Sequence, residues 1–109
     1  MPRIEQLNEL LRGELAHLTA LDSVLDNGLI TIIHVKYSLD LRYAKISISV
    51  LPENLSGTAL RELRKRGKRF SQALKKKLNL KYIPRLSWII DLTERRAAEM
   101  DRAWPQHYA

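Results

Sequence analysis

The sequence predicts an α+β fold: a three-stranded mixed sheet with helices on one face, in the order helix, strand, strand, long kinked helix, strand, short helix. Three observations carry that expectation. Apolar residues recur at steps of three or four near the amino terminus and again across residues 60–78, the spacing of one helix face. Two runs between these helices, Leu29–Tyr37 and Tyr43–Leu51, are rich in β-branched residues, and the second alternates apolar with polar. A third such run follows the long helix. A strand joined to the next by a helical crossover pairs with it in parallel, in the right-handed sense.

Taken in order, Ile4, Leu7, Leu11, Leu15, Leu18 and Leu21 form the apolar stripe of a first helix, with Glu5, Glu9, Arg12 and Glu14 on its other side. It should end by Asp22 or Ser23, and Asp26-Asn27-Gly28 is a turn signal. Leu29–Tyr37 reads as a strand and residues 38–42 as a short connection, so the next strand, Tyr43–Leu51, should complete an antiparallel hairpin. In that strand Ala44, Ile46, Ile48 and Val50 share the buried face, and Lys45, Ser47 and Ser49 the polar one. Pro52 closes the strand, and Ser56 or Thr58 is the expected N-cap of the long helix. Pro84 disfavours helix at Ile83, which sets up a third strand over residues 86–92. Residues 93–104 fit a short terminal helix, with Asp91 or Thr93 as its cap.

The long helix carries the dominant chemical signal. Residues 60–85 hold eleven basic side chains against one acid, Glu62, whereas the whole chain has a net charge of +7. The basicity is therefore local, and the remaining residues are net acidic. Leu60, Leu63, Gly67, Phe70, Leu74 and Leu78 lie on one side of the same helix, so that side can enter a core while the cations ring the rest. Solubilising faces normally mix both signs; this one does not. Gly67 interrupts the helix at its middle, at a cost of about 0.5–1 kcal/mol relative to Ala. A kink there would present backbone N–H groups to phosphate at the start of the second half.

At 109 residues the chain is expected to form a single domain, residues 1–109, with one core. It has no cysteine, so disulfides and thiolate metal sites are excluded, in keeping with a reducing cytoplasm. No apolar run approaches the length of a bilayer span, and the first ten residues lack a signal-peptide core. A pI near 10.0 points to nucleic acid or an anionic surface. A basic amphipathic helix also suits a membrane surface, but the stripe from Leu60 to Leu78 is needed to cover the sheet and cannot be buried twice.

Several motifs together resemble the ribosome-binding factor A family. Ser38-Leu39-Asp40-Leu41-Arg42-Tyr43-Ala44 is similar to that family's serine–x–aspartate–leucine–x–x–alanine signature, and an alternating strand follows it in both. Leu80-Lys81-Tyr82-Ile83-Pro84-Arg85-Leu86 resembles the segment leading into the family's last strand. The first helix, its turn and the first strand fit in order and spacing, so the resemblance runs from about Ile4 to Trp104. It implies a type II K-homology-like fold and a non-enzymatic bacterial factor. Such a factor binds the free small ribosomal subunit and assists late maturation of its RNA. In place of a GxxG loop, the family has an alanine–x–glycine kink between two helices. Counting back from Pro84 puts that pattern at Arg66-Gly67-Lys68, with the glycine displaced by one and the alanine absent. Asp26-Asn27-Gly28 stands where the family often has Asp-Pro-Arg, and residues 105–109 stand where it commonly carries a long charged tail.

The expected RNA-contacting residues are Arg64, Lys65, Arg66, Gly67, Lys68, Arg69, Lys75, Lys76, Lys77 and Lys81, with Arg42 and Lys45 beside them. Tyr37, Tyr43 and Tyr82 either stack on bases, as in single-strand binders, or pack the sheet. No cofactor and no metal are expected: His17, His34 and His107 are scattered, and no HExxH, GxGxxG or Walker sequence occurs. The competing readings are a generic single-stranded RNA-binding domain and a small basic nuclease built on His34, Asp40 and Arg42. The chain is expected to act as a monomer, without covalent chemistry.

Overall fold

The computed structural model describes residues 4–91. Helix α1 spans Ile4–Asp22, strand β1 Leu29–Tyr37, strand β2 Tyr43–Leu51, helix α2 Ser56–Leu78 and strand β3 Arg85–Ile90, with a 3₁₀ turn over Glu53–Leu55 leading into α2. The three strands form one sheet in the order β1-β2-β3. β1 and β2 are antiparallel, and β2 and β3 are parallel through the α2 crossover. The expected terminal helix, residues 93–104, lies outside the described residues.

The core follows from the alternation of β2. Ala44, Ile46, Ile48 and Val50 are buried and meet Leu11 and Leu15 of α1, Leu63, Phe70 and Leu74 of α2, and Trp88 of β3 in one cluster. α1 lies along β1, and α2 packs on β3 and β2. The opposite face of the sheet carries no helix among the described residues. Phe70 meets Trp88 edge-on, with ring centroids 6.5 Å apart at 64°. Leu21, expected in the α1 stripe, is exposed; the stripe ends at Leu18, and Val24 enters the core beyond the helix. Asn8 Oδ1 accepts a hydrogen bond from Tyr37 N at 2.7 Å, which fixes α1 against the end of β1.

β1 departs from simple alternation. Its register against β2 shifts between Ile32 and His34, leaving Ile33 as the extra residue of a bulge. Ile32 on one side and Val35 and Tyr37 on the other thereby all reach the core. β3 begins at Arg85 and ends at Ile90, a window shifted toward the amino terminus from residues 86–92. Arg85 N donates to Arg42 O at 2.9 Å and starts the ladder, while Asp91 N donates to Ile48 O at 2.7 Å and closes it.

The N-cap expectation is corrected. Ser56 is already helical, the capping position is Leu55, and Ser56 Oγ donates to Glu53 O at 2.7 Å. The preceding 3₁₀ turn leads the chain into the helix instead. At Gly67 the helix is not broken. α2 runs unbroken for 23 residues through Gly67, which has no positive φ. Its neighbours are strong helix formers, and Leu63, Phe70 and Leu74 anchor the helix on both sides. A Cβ built on Gly67 would meet nothing within 4 Å, so no close approach requires glycine there. Gly67→Ala should therefore stabilise the protein by about 0.5–1 kcal/mol, read as a higher denaturant midpoint. A lower midpoint would show that the backbone at Gly67 is not ordinary helix.

Gly28 is the opposite case. A Cβ there would lie 2.8 Å from Leu55 Cδ1 and 2.9 Å from the Leu51 carbonyl oxygen. The chain passes so close to the end of β2 that only a hydrogen fits. Gly28→Ala should cost about 1–3 kcal/mol through overpacking, measured by chemical denaturation, and an unchanged midpoint would contradict that packing.

Candidate nucleic-acid interface

α2 buries Ala59, Leu63, Phe70, Ser71 and Leu74, and this stripe fixes where its other side chains point. Arg64, Lys65, Lys68, Arg69, Lys76 and Lys77 are exposed on the flanks and the outer side, while Arg66 and Lys75 are half-buried. By its rise the helix is about 35 Å long, so the cations form an extended surface. Lys75, Lys76 and Lys77 occupy the last turn, where the negative end of the helix dipole favours them. Asn79 then ends the helix in the left-handed conformation at φ 52°, with its N–H donating to Lys75 O.

The expected cations do not all have the same freedom. Arg66 Nε donates to Asp22 Oδ2 at 2.6 Å, and its Nη1 donates to the Glu62 carbonyl and to Glu62 Oε1, each at 3.0 Å. Arg69 also donates to Asp22, and Lys65 pairs with Glu62 at 3.1 Å. Hydrogen bonds from Arg66 and then Lys65 hold the Glu62 carboxyl below its usual range, and the bond to Glu62 raises Arg66. Arg66 is thus a clamp joining the end of α1 to the middle of α2. Arg64, Lys68, Lys75, Lys76 and Lys77 have no ion pair among the described residues. With α2 continuous, no fresh helix N-terminus exists at Gly67 to receive phosphate. Asp22, which reads from sequence as a helix-end or turn residue, instead makes the interhelix contact; its partners lie more than forty residues on and no local signal marks them.

Lys81 and Arg42 meet at the end of the sheet. The Arg42 guanidinium lies 4.3 Å from the centre of the Tyr82 ring and Lys81 Nζ lies 5.4 Å from it. Lys45 is not part of the α2 surface, because its position on β2 directs it to the helix-free face. The loop before β2 explains its serine and aspartate. Ser38 Oγ donates to Asp40 Oδ1 at 2.6 Å and accepts from Tyr43 N at 3.0 Å, while Asp40 Oδ1 accepts from Arg42 N at 3.1 Å. The Ser38 bond is the main cause of the lowered Asp40 pKa. These bonds hold Leu41 at φ 63°, a conformation unusual for a bulky side chain. Tyr37 is buried, and its hydroxyl donates to Leu41 O at 2.8 Å, so it packs the sheet and does not stack on a ligand. Asp40 is committed to the turn, and His34 Nε2 lies 3.3 Å from Ser47 Oγ. Among the described residues no group of three or more His, Cys, Asp or Glu could hold a metal ion, and no helix is long and apolar enough to cross a membrane.

Fold and site together define a K-homology-like α+β domain with one strongly cationic helix. A family profile described as ribosome-binding factor A matches residues 3–104. The chain belongs to the ribosome-binding factor A family. It is 30% identical over 93 residues to ribosome-binding factor A of Chlamydia felis, an alignment covering 82% of this chain and 78% of the relative. It is 26% identical over 98 residues to the Akkermansia muciniphila protein of the same name, covering 90% and 78% respectively. The crystal structure of ribosome-binding factor A from Thermus thermophilus superposes with a TM-score of 0.71 at 25% identity, covering 82% of this chain and 97% of that one. A homology model of the Thermus thermophilus factor, fitted into a cryo-EM map of a 30S complex, superposes with a TM-score of 0.63 at 26% identity, covering 78% of this chain and 91% of that one.

Proposed function

We propose that this protein binds the free small ribosomal subunit in the cytoplasm, as a monomer, and assists late maturation of its RNA by holding RNA segments without covalent chemistry. The observation that carries this reading is the outer surface of α2, on which Arg64, Lys68, Lys75, Lys76 and Lys77 have no acidic partner among the described residues. Unpaired cations of one sign along a rigid helix suit a phosphate backbone. Family membership, and the 30S complex into which the Thermus thermophilus relative was fitted, support the small subunit as the particle. Arg66 positions α2 against α1, and Arg69 shares Asp22 with it, so the contact falls mainly on the unpaired cations, with Lys81 and Arg42 at the sheet end.

Sucrose-gradient fractionation with detection of the protein tests this. It should sediment with free small subunits and be scarce on complete ribosomes. Equal occupancy of both, or binding to neither, would remove the assembly reading and leave a general single-stranded RNA-binding domain.

A further inference from the structure

The helix-free face of the sheet carries a second cationic group that the α2 surface does not include. Side chains alternate along β2, so Tyr43 and Lys45 point away from the helices. The register sets Lys36 of β1 directly opposite Lys45, with Ser87 of β3 on the other side of Lys45. Arg85 pairs with Tyr43 in the adjoining row. Lys36, Lys45 and Arg85 are exposed, none has an ion pair among the described residues, and Tyr43 is 51% exposed. Like charges directly opposite in an antiparallel pair destabilise a sheet. A lysine pair placed there, with no acid paired to it among the described residues, is suited to an external anion. The exposed tyrosine ring beside it offers a stacking surface for a base.

We propose that this face is a second site for single-stranded RNA. Lys36, Lys45 and Arg85 hold phosphates and Tyr43 stacks a base, so that the protein bridges two RNA segments, one on each side of the sheet. This rests on the reading of α2 as an RNA-binding surface, since bridging needs both sites. Charge complementarity selects the occupant, and the flat aromatic ring favours RNA over an acidic polypeptide.

The test is double capture with the full chain. One oligo(U) strand is immobilised, a second carries a fluorophore, and protein is titrated between them. Captured fluorescence should rise and then fall as excess protein occupies each strand separately. Lys36→Thr, Lys45→Thr and Arg85→Thr together should abolish capture of the second strand. Binding of the first should change by less than about twofold, and the total salt slope should fall by roughly two units, at about 0.7 for each phosphate no longer neutralised. The variant should melt no lower than the parent, because the opposed lysines are gone. Tyr43→Ala alone should weaken the second strand about fivefold or more.

Capture of only one strand by the parent, or double capture that survives the triple substitution, overturns the proposal. So does preference of this face for immobilised polyglutamate over oligo(U). Failure of the parent to bind any strand is a different result, which removes the RNA-binding reading of α2 itself.

Discussion

Phe70→Ala should cost about 3–5 kcal/mol, the range for removing a fully buried aromatic ring. Phe70 is 2% exposed and sits where α2 crosses β3, edge-on to Trp88. Truncation removes the ring's burial and its aromatic pairing and leaves a void between helix and sheet. Domains of this size have only about 5–15 kcal/mol of stability in all, so the variant would lose about a fifth of it or more. Equilibrium denaturation is the measurement. Leu60→Ala is the control: Leu60 is only partly buried on the same helix and should cost clearly less. Equal losses at the two positions would mean that α2 is not seated on the sheet through Phe70.

Replacing Lys75, Lys76 and Lys77 with Ala should weaken binding to every RNA by a similar factor. It should also flatten the dependence of log K on log salt by roughly two units, at about 0.7 per phosphate neutralised on single-stranded RNA. Lysine is a mobile point charge, less suited than arginine to bidentate recognition of a base. Because the three lysines lie in the last turn of α2, their loss also removes favourable dipole interactions worth about 0.3–1 kcal/mol each at an exposed site. A modest fall in stability is therefore expected beside the binding defect, and binding should be measured well below the melting temperature. A salt titration on cognate and scrambled RNA decides the matter. Selective loss on cognate RNA with an unchanged slope would assign these lysines to sequence reading.

Much of this architecture is legible in local patterns. β2 runs from Tyr43 to Leu51 as its alternation requires, because burial on one face leaves a strand a single acceptable phase. The parallel pairing of β2 and β3 follows from the crossover alone. The bulge at Ile33 does not, since Ile32 and Ile33 are equally apolar and only the core decides which turns inward. That α2 stays unbroken at Gly67 is hidden for a related reason. Glycine permits an unusual backbone conformation but does not demand one, and here the anchors on both sides keep the helix regular. The basic helix is plain in composition, yet its division into paired and unpaired cations depends on Asp22, far away in sequence. The Lys36–Lys45 opposition needs the hairpin register, which composition cannot supply.

The Asp22 clamp also bears on how fast the protein finds its target. It holds α1, with Glu5, Glu9, Glu14 and Asp22 against Arg12, beside a helix of opposite charge. The pair of helices therefore forms a fixed electric dipole. Approaching a polyanion, such a body experiences a torque as well as an attraction, which turns α2 forward before contact. More encounters then begin in a productive orientation, and association can exceed the rate of an unsteered pair by about one to three orders of magnitude at low ionic strength. The gain falls as salt screens the field beyond a Debye length of about 8 Å at physiological ionic strength. A contact made at the joint between two helices thus acts through the time the protein spends searching.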